Sequence, residues 1–208
     1  MAKSTNMIAR YSDSERINHW IVAICFILAA LSGLAFFHPS MYWLTNLFGG
    51  GTWTRILHPF IGLLMFCCFC ISMIRYWNHN RINDNDRKWL SRWRDVIANR
   101  EDGMPEVGRY NAGQKVVFWV TVISSITLLV TGIIFWRAYF SDAFPVFLVR
   151  LASLLHAVAA VALIVGIILH VYAAIWVKGT MRAMIRGTVA EAWARKHHPA
   201  WYREMTNR

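Results

Sequence analysis

Eight histidines occur in this chain of 208 residues, and four of them, His19, His58, His156 and His170, stand at or inside long uncharged stretches. An imidazole in hydrocarbon is costly without a partner, so a residue of this type at that depth is a functional candidate by default. His156 and His170 are fourteen residues apart. On an α-helix that is nearly four whole turns, so both project from one face, about 21 Å apart along the axis. One helix thus offers a ligand towards each side of a bilayer. His58 opens another apolar stretch at the end expected to lie level with His156, and His19 opens a third at the end nearer His170. Two histidine pairs at two depths is the arrangement that holds two bis-histidine haems stacked across a membrane, imidazole being a standard axial ligand. Zinc would want four ligands at one level. Taken singly, each histidine is better explained by a hydrogen bond between helices; the joint pattern is what favours haem. His38, His79, His197 and His198 fall outside these stretches, where solvated or interfacial roles are expected. Proton delivery is the lesser reading for His79, His197 and His198.

The elements that must position the four histidines are long and apolar. Residues 20–37, 56–74, 116–136 and 151–177 carry no charge. A helix needs about 20 apolar residues to cross a hydrocarbon core of roughly 30 Å, so all four runs qualify as spans. They show no period-two alternation, which excludes a membrane barrel. The first run is too long for the hydrophobic core of a signal peptide, so it is expected to be retained. The expected fold is an all-α integral membrane protein, a four-transmembrane-helix bundle forming one domain over residues 1–208, with a loop at 78–115 and a tail at 178–208.

Charge sets the orientation. The chain is 57% apolar and 16% charged, with a formal net charge of +11. Ordinary soluble domains are about 45–50% apolar and about 25% charged. That mixture excludes disorder, and it excludes a nucleic-acid binder, which would carry its bases on a soluble scaffold. Of the 22 basic residues, 18 lie in the N-terminal segment, the 78–115 loop and the tail. The positive-inside rule therefore places both termini and that loop in the cytoplasm.

Two further patterns lie within the spans. Cys25, Cys67, Cys68 and Cys70 are all in apolar runs at spacings that fit no common zinc or iron–sulfur pattern, so they are expected to act as small apolar residues. Ser32-Gly33 follows Trp20 as Thr131-Gly132 follows Trp119, with the glycine thirteen residues after the tryptophan in both. His58 then follows Gly33 by 25 residues, and His156 follows Gly132 by 24. Either the chain is two helical hairpins of shared design, or this is the likeness of any two apolar helices. Gly33, Gly62, Gly132 and Gly166 suit close helix contacts or room for a flat ligand.

Several segments together carry a resemblance. Arg16–Trp20 (RINHW), Arg55–Phe60 (RILHPF), Gly108–Lys115 (GRYNAGQK), Trp136-Arg137, Trp176–Gly179 (WVKG) and Trp193–Glu204 (WARKHHPAWYRE) are similar to the gamma subunit family of membrane-bound respiratory formate dehydrogenases, the diheme cytochrome b556 subunits. The likeness runs from about residue 10 to about residue 204. It implies two b-type haems, the periplasmic one on His58 and His156 and the cytoplasmic one on His19 and His170. It further implies a menaquinone site to which Asn111 and Gly113 contribute; on the residues alone, a helix-entry turn is the preferred explanation of those two. The partners implied are an iron–sulfur beta subunit and a molybdenum- or tungsten-containing alpha subunit, in the bacterial inner membrane. This chain has no motif for formate chemistry and no iron–sulfur cysteine pattern, so the substrate-oxidising site is expected on other subunits. The rival readings are a cytochrome b subunit of a nickel–iron hydrogenase or other periplasmic oxidoreductase, and a haem-free membrane anchor or transporter.

Overall fold

The computed structural model describes residues 6–98, 100 and 103–207. In chain order, strand β1 (Met7–Ala9) precedes helix α1 (Asp13–Phe37), and a 3₁₀ stretch (Pro39–Phe48) leads into α2 (Gly51–Tyr76). The following loop holds a 3₁₀ turn (Asn78–Asn80), α3 (Asp84–Ser91) and α4 (Trp93–Ile97), and α5 (Ala112–Ile134) follows. A 3₁₀ turn (Ser141–Ala143) precedes α6 (Val146–Trp176). The tail forms α7 (Thr180–Arg186), strand β2 (Thr188–Ala190), α8 (Glu191–His197) and α9 (Pro199–Thr206).

Helices α1, α2, α5 and α6 are long and apolar enough to cross a membrane, as the uncharged runs require. Each begins several residues before its run does. Capping is the reason at two of them. At the start of α1, the Ser12 backbone N–H donates to Glu15 Oε2 at 2.7 Å and the Glu15 N–H to Ser12 Oγ at 3.4 Å. At α5, Asn111 and Gln114 exchange the same pair of bonds at 2.9 and 2.8 Å. Such boxes satisfy the unpaired N–H groups of a first turn, so the helix starts where the cap stands rather than where charge ends.

The chain divides into two compact units. One comprises Ile17–Ile74 and Val120–Ile168. Its side-chain distribution is inverted relative to a soluble protein. Ile24, Leu64, Ile123 and Leu154 are exposed, while Ser32, Thr54, Ser125, Thr131, Ala35 and Ala159 are buried. Lipid supplies no hydrophobic force between helices, so membrane interiors collect small residues that allow close approach and hydroxyls that bond internally. Asn18 ties α1 to α2 here, its amide donating to the Cys68 carbonyl at 3.0 Å and to Ser72 Oγ at 2.8 Å. All four cysteines are free thiols.

The other unit gathers the chain up to Arg16, Arg75–Trp119 and Leu169 onward. Strand β1 pairs antiparallel with β2, Ile8 opposite Val189, so segments far apart in the chain meet. Ala183, Val189, Ala194 and Trp201 form its core, with Ile8, Tyr11, Trp193 and Tyr202 packed around them. The turn between α7 and β2 needs glycine. Gly187 has φ +74°, and a Cβ there would lie 2.6 Å from the Tyr11 carbonyl oxygen. The same unit holds a buried ion pair, Lys115 Nζ to Asp86 Oδ2 at 2.7 Å, with Lys115 also donating to the Arg81 carbonyl at 3.0 Å. The loop segment around α3 is thereby fixed to the first turn of α5. None of these short elements carries enough periodicity to be read from the sequence.

Candidate functional site

Helices α2 and α6 bring His58 and His156 together, with ring centroids 6.3 Å apart and planes inclined at 64°. Each ring is held by a hydroxyl from a third or fourth helix. Ser32 Oγ on α1 lies 2.8 Å from His58 Nδ1. The same hydroxyl reaches the Leu28 carbonyl at 2.7 Å and the Ala29 carbonyl at 3.1 Å. When its single proton goes to a carbonyl, the imidazole Nδ1–H is the donor to the oxygen. The neutral ring then has its lone pair on Nε2. Thr131 repeats the arrangement from α5: its hydroxyl donates to the Thr127 carbonyl at 2.6 Å and lies 2.9 Å from His156 Nδ1. In each case the hydroxyl engages Nδ1, and Nε2 is the nitrogen outside that bond.

A glycine stands beside each hydroxyl, and the one at Gly33 makes room for its histidine. A Cβ on Gly33 would lie 3.1 Å from His58 Cε1, and one on Gly132 would lie 3.4 Å from His156 Cε1. Of the other two glycines singled out from the sequence, Gly166 lets α6 approach Val120, and Gly62 faces open space. Phe135 closes one side of His156 at 5.0 Å between centroids, edge to face.

The donor set fits a haem iron. A metal between two imidazole Nε2 atoms at about 2 Å from each, with each ring centre about 1 Å further back, separates the centroids by about 6 Å. The observed separation matches that span. Among the described residues no three His, Cys, Asp or Glu side chains gather to hold a bare metal ion.

The other two predicted ligands belong to different units. His19 is half-buried on α1, its ring edge to face with Trp20 at 5.4 Å. His170 lies in the last two turns of α6, in the segment from Leu169 that belongs to the other unit.

Asn111 and Gly113, the predicted quinone contacts, sit at the entry of α5. The Asn111 side-chain oxygen is engaged in the helix cap, so the helix-entry reading of this residue is realised. Its amide nitrogen is not used by the cap. Gly113 accommodates the Trp89 indole, which a Cβ would meet at 3.5 Å. Asn111 also lines a cleft of about 300 Å³ together with His79, Trp89, Glu106, Tyr110 and Glu204. Burial and the adjacent Arg109 guanidinium hold His79 below its ordinary pKa, against the pull of Glu204 and Glu15. Burial raises the Tyr110 phenol well above its usual value.

His198 corrects an expectation. Rather than solvated, it is 2% exposed. Its Nδ1 lies 2.7 Å from the Gly108 carbonyl, and its ring packs on Trp193 at 5.1 Å and Trp201 at 6.4 Å. Burial, then the charge of Arg10, push its pKa down to about 3. The aromatic residues of the tail create an interior where the sequence shows only a polar segment.

Ser32 and Thr131 are the residues that sequence reasoning missed as parts of the site. The signal was present in the repeated hydroxyl–glycine pair, whose two copies face the two histidines.

Residues 10–187 match the model of a family described as prokaryotic cytochrome b561, a stretch that contains all four histidines. The cytochrome b556(fdo) subunit of formate dehydrogenase from Escherichia coli strain K12 is 54% identical over 98% of this chain and 95% of its own length. The nitrate-inducible cytochrome b556(Fdn) subunit of the same organism is 46% identical over 99% and 94%. The formate dehydrogenase cytochrome b556 subunit of Haemophilus influenzae is 44% identical over 95% and 83%. The four apolar helices are thus those of a membrane cytochrome b, and the chain belongs to the prokaryotic cytochrome b561 family.

Proposed function

We propose that this chain is the membrane subunit of a respiratory formate dehydrogenase. It carries electrons from a periplasmic iron–sulfur partner, itself served by a molybdenum- or tungsten-containing subunit, across the inner membrane to menaquinone on the cytoplasmic side. The observation that carries the reading is the His58/His156 pair, each ring fixed by a hydroxyl with Nε2 left to bind. Two b-type haems are assigned, one to His58 and His156 and the other to His19 and His170. Bound there, haem supplies one-electron exchange that no side chain of the site provides. The relatives named as formate dehydrogenase subunits support the choice of partner complex.

The residues of this chain then have distinct tasks. His58 and His156 bind through Nε2 while Ser32 and Thr131 orient them. The apolar outer faces of the four helices keep water from the path. Asn111, through its amide N–H, donates a hydrogen bond to a quinone carbonyl in the cleft it lines, and Gly113 stands beside the Trp89 indole that walls that cleft. Both chain ends are cytoplasmic in this reading, which the pairing of β1 with β2 supports by holding them on one side. Moving an electron inward against an inside-negative potential costs about 2.3 kcal/mol per 100 mV, which the redox reaction must supply.

Haem counting on the purified complex tests the assignment. Two b-type haems per chain are expected in reduced-minus-oxidised spectra. His58→Ala and His156→Ala should remove one of them, and His19→Ala and His170→Ala the other. A complex without b-type bands, or four variants that all keep both haems, overturns it.

A further inference from the structure

The two hydroxyls behind His58 and His156 do more than hold the rings. We infer that Ser32 and Thr131 are positioning residues that set the redox potential of the haem bound at this pair, an inference that rests on the haem reading above. With haem bound through Nε2 the ring proton would stay on Nδ1, and each hydroxyl, 2.8 Å away for Ser32 and 2.9 Å for Thr131, would accept it. Each also donates to the carbonyl four residues earlier, at 2.7 Å to Leu28 and 2.6 Å to Thr127. Donating its proton makes the oxygen a better acceptor, since successive hydrogen bonds polarise one another. A stronger acceptor at Nδ1 draws that proton outward and leaves more electron density on Nε2. A second-shell partner of this kind raises the basicity of a ligating histidine and is one of the means by which a protein tunes a haem. Greater basicity favours the oxidised, more positively charged iron. Both hydroxyls therefore act in the same direction and lower the potential.

The surroundings make the effect large for so small a group. Ser32 is fully buried and Thr131 nearly so, so water does not replace either bond when it is removed. The two positions differ in residue type yet make the same pair of bonds. The hydroxyl, rather than the shape around it, is the feature they share.

The test uses Ser32→Ala, Thr131→Val and the conservative Ser32→Thr and Thr131→Ser in the intact complex, with potentials read by spectroscopic redox titration. Each hydroxyl deletion should raise the potential of one haem by about tenfold in its redox equilibrium constant, which is 59 mV for a one-electron couple. The second haem should be unmoved, and the conservative variants should stay at the original value. Unchanged potentials in both deletions overturn the inference. Should the deletions lose the haem outright, the conservative pair decides. Retention in Ser32→Thr and Thr131→Ser supports the hydroxyl as the operative group, and loss there as well overturns it. Failure of the haem assignment would look different, because His58→Ala and His156→Ala would then leave both haems in place.

Discussion

Adding one methyl group at Gly33 should damage the site, while the same change at Gly132 should be nearly silent. A Cβ on Gly33 meets His58 Cε1 at 3.1 Å, with Nδ1 and Nε2 at 3.8 and 3.9 Å. The ring must retreat by a few tenths of an ångström to restore ordinary contact. It cannot do so freely, because the neighbouring Ser32 holds Nδ1 at 2.8 Å from the same helix. Retreat stretches that bond or tilts Nε2 off the axis towards His156. Overpacking of this kind costs about 1–3 kcal/mol, or roughly 5- to 150-fold in occupancy of the site. At Gly132 the corresponding contact is 3.4 Å, already an ordinary van der Waals distance. Both substitutions gain the same helix preference of alanine over glycine, about 0.5–1 kcal/mol, so the difference between them isolates the packing effect. Haem per chain and the temperature of thermal haem release, measured on Gly33→Ala and Gly132→Ala complexes, provide the readout. Gly33→Ala should lose haem more readily than wild type, and Gly132→Ala should match wild type. Equal behaviour of the two, or greater loss in Gly132→Ala, refutes the reasoning.

Asn111 has two roles to separate. Serine caps a helix as well as asparagine but lacks the amide N–H, so Asn111→Ser should cut quinone reduction about tenfold with the unit's stability intact; normal turnover in that variant would reduce Asn111 to a cap. Lys115→Met leaves the Asp86 carboxylate buried without its partner, which should cost about 3–5 kcal/mol and open the loop around α3 to proteolysis. An unchanged cleavage rate would show the pair to be dispensable. His198, held neutral with a pKa of about 3, gives an acid dependence of fixed sign. The unfolded chain takes up a proton near the ordinary histidine value of 6.5 that the folded unit refuses. Stability is thus complete above that range and falls as pH drops from there towards about 3, by at most about 1.4 kcal/mol per pH unit. Fluorescence of the tail tryptophans should report that loss, and His198→Phe should shift its onset to lower pH; an onset that does not move rules out His198 as the cause.

The parts of the fold legible in advance are those with strong one-dimensional signals. A charge-free run of about 20 residues has few readings other than a span, and α1, α2, α5 and α6 each contain one. Their true starts were less legible, because caps such as Ser12–Glu15 extend a helix into polar sequence. The tail was opaque for another reason. Its three-residue strand β2 is stabilised by β1, some 180 residues earlier, and its helices α7, α8 and α9 are no longer than eight residues. Elements that short depend on tertiary contacts rather than on local preference. The His58/His156 pair was legible from spacing because helical rise converts sequence separation into depth. Ser32 and Thr131 were not, since a hydroxyl in an apolar helix normally bonds its own backbone. Both residues do that as well, and only the tertiary structure adds the histidine.

The repeated hydroxyl–glycine pair has a consequence for how the bundle holds together. Ser32 and Gly33 on α1 serve His58 on α2, and Thr131 and Gly132 on α5 serve His156 on α6. Each hairpin thus completes one oriented imidazole from its own residues, and the ligand pair forms only where the two hairpins meet. In lipid, apolar burial does not drive helices together. In the proposed reading, a haem held by one histidine from each hairpin would act as a cross-link, and its binding free energy would become association free energy between the hairpins. With the haem assigned to His19 and His170 present in every variant, losing either histidine should loosen the bundle about as much as losing both, because one remaining ligand no longer makes this cross-link. Thermal unfolding of His58→Ala, His156→Ala and the double variant measures that directly. Additive losses would show that each ring stabilises its own hairpin independently and that the cross-link is not what holds the halves together.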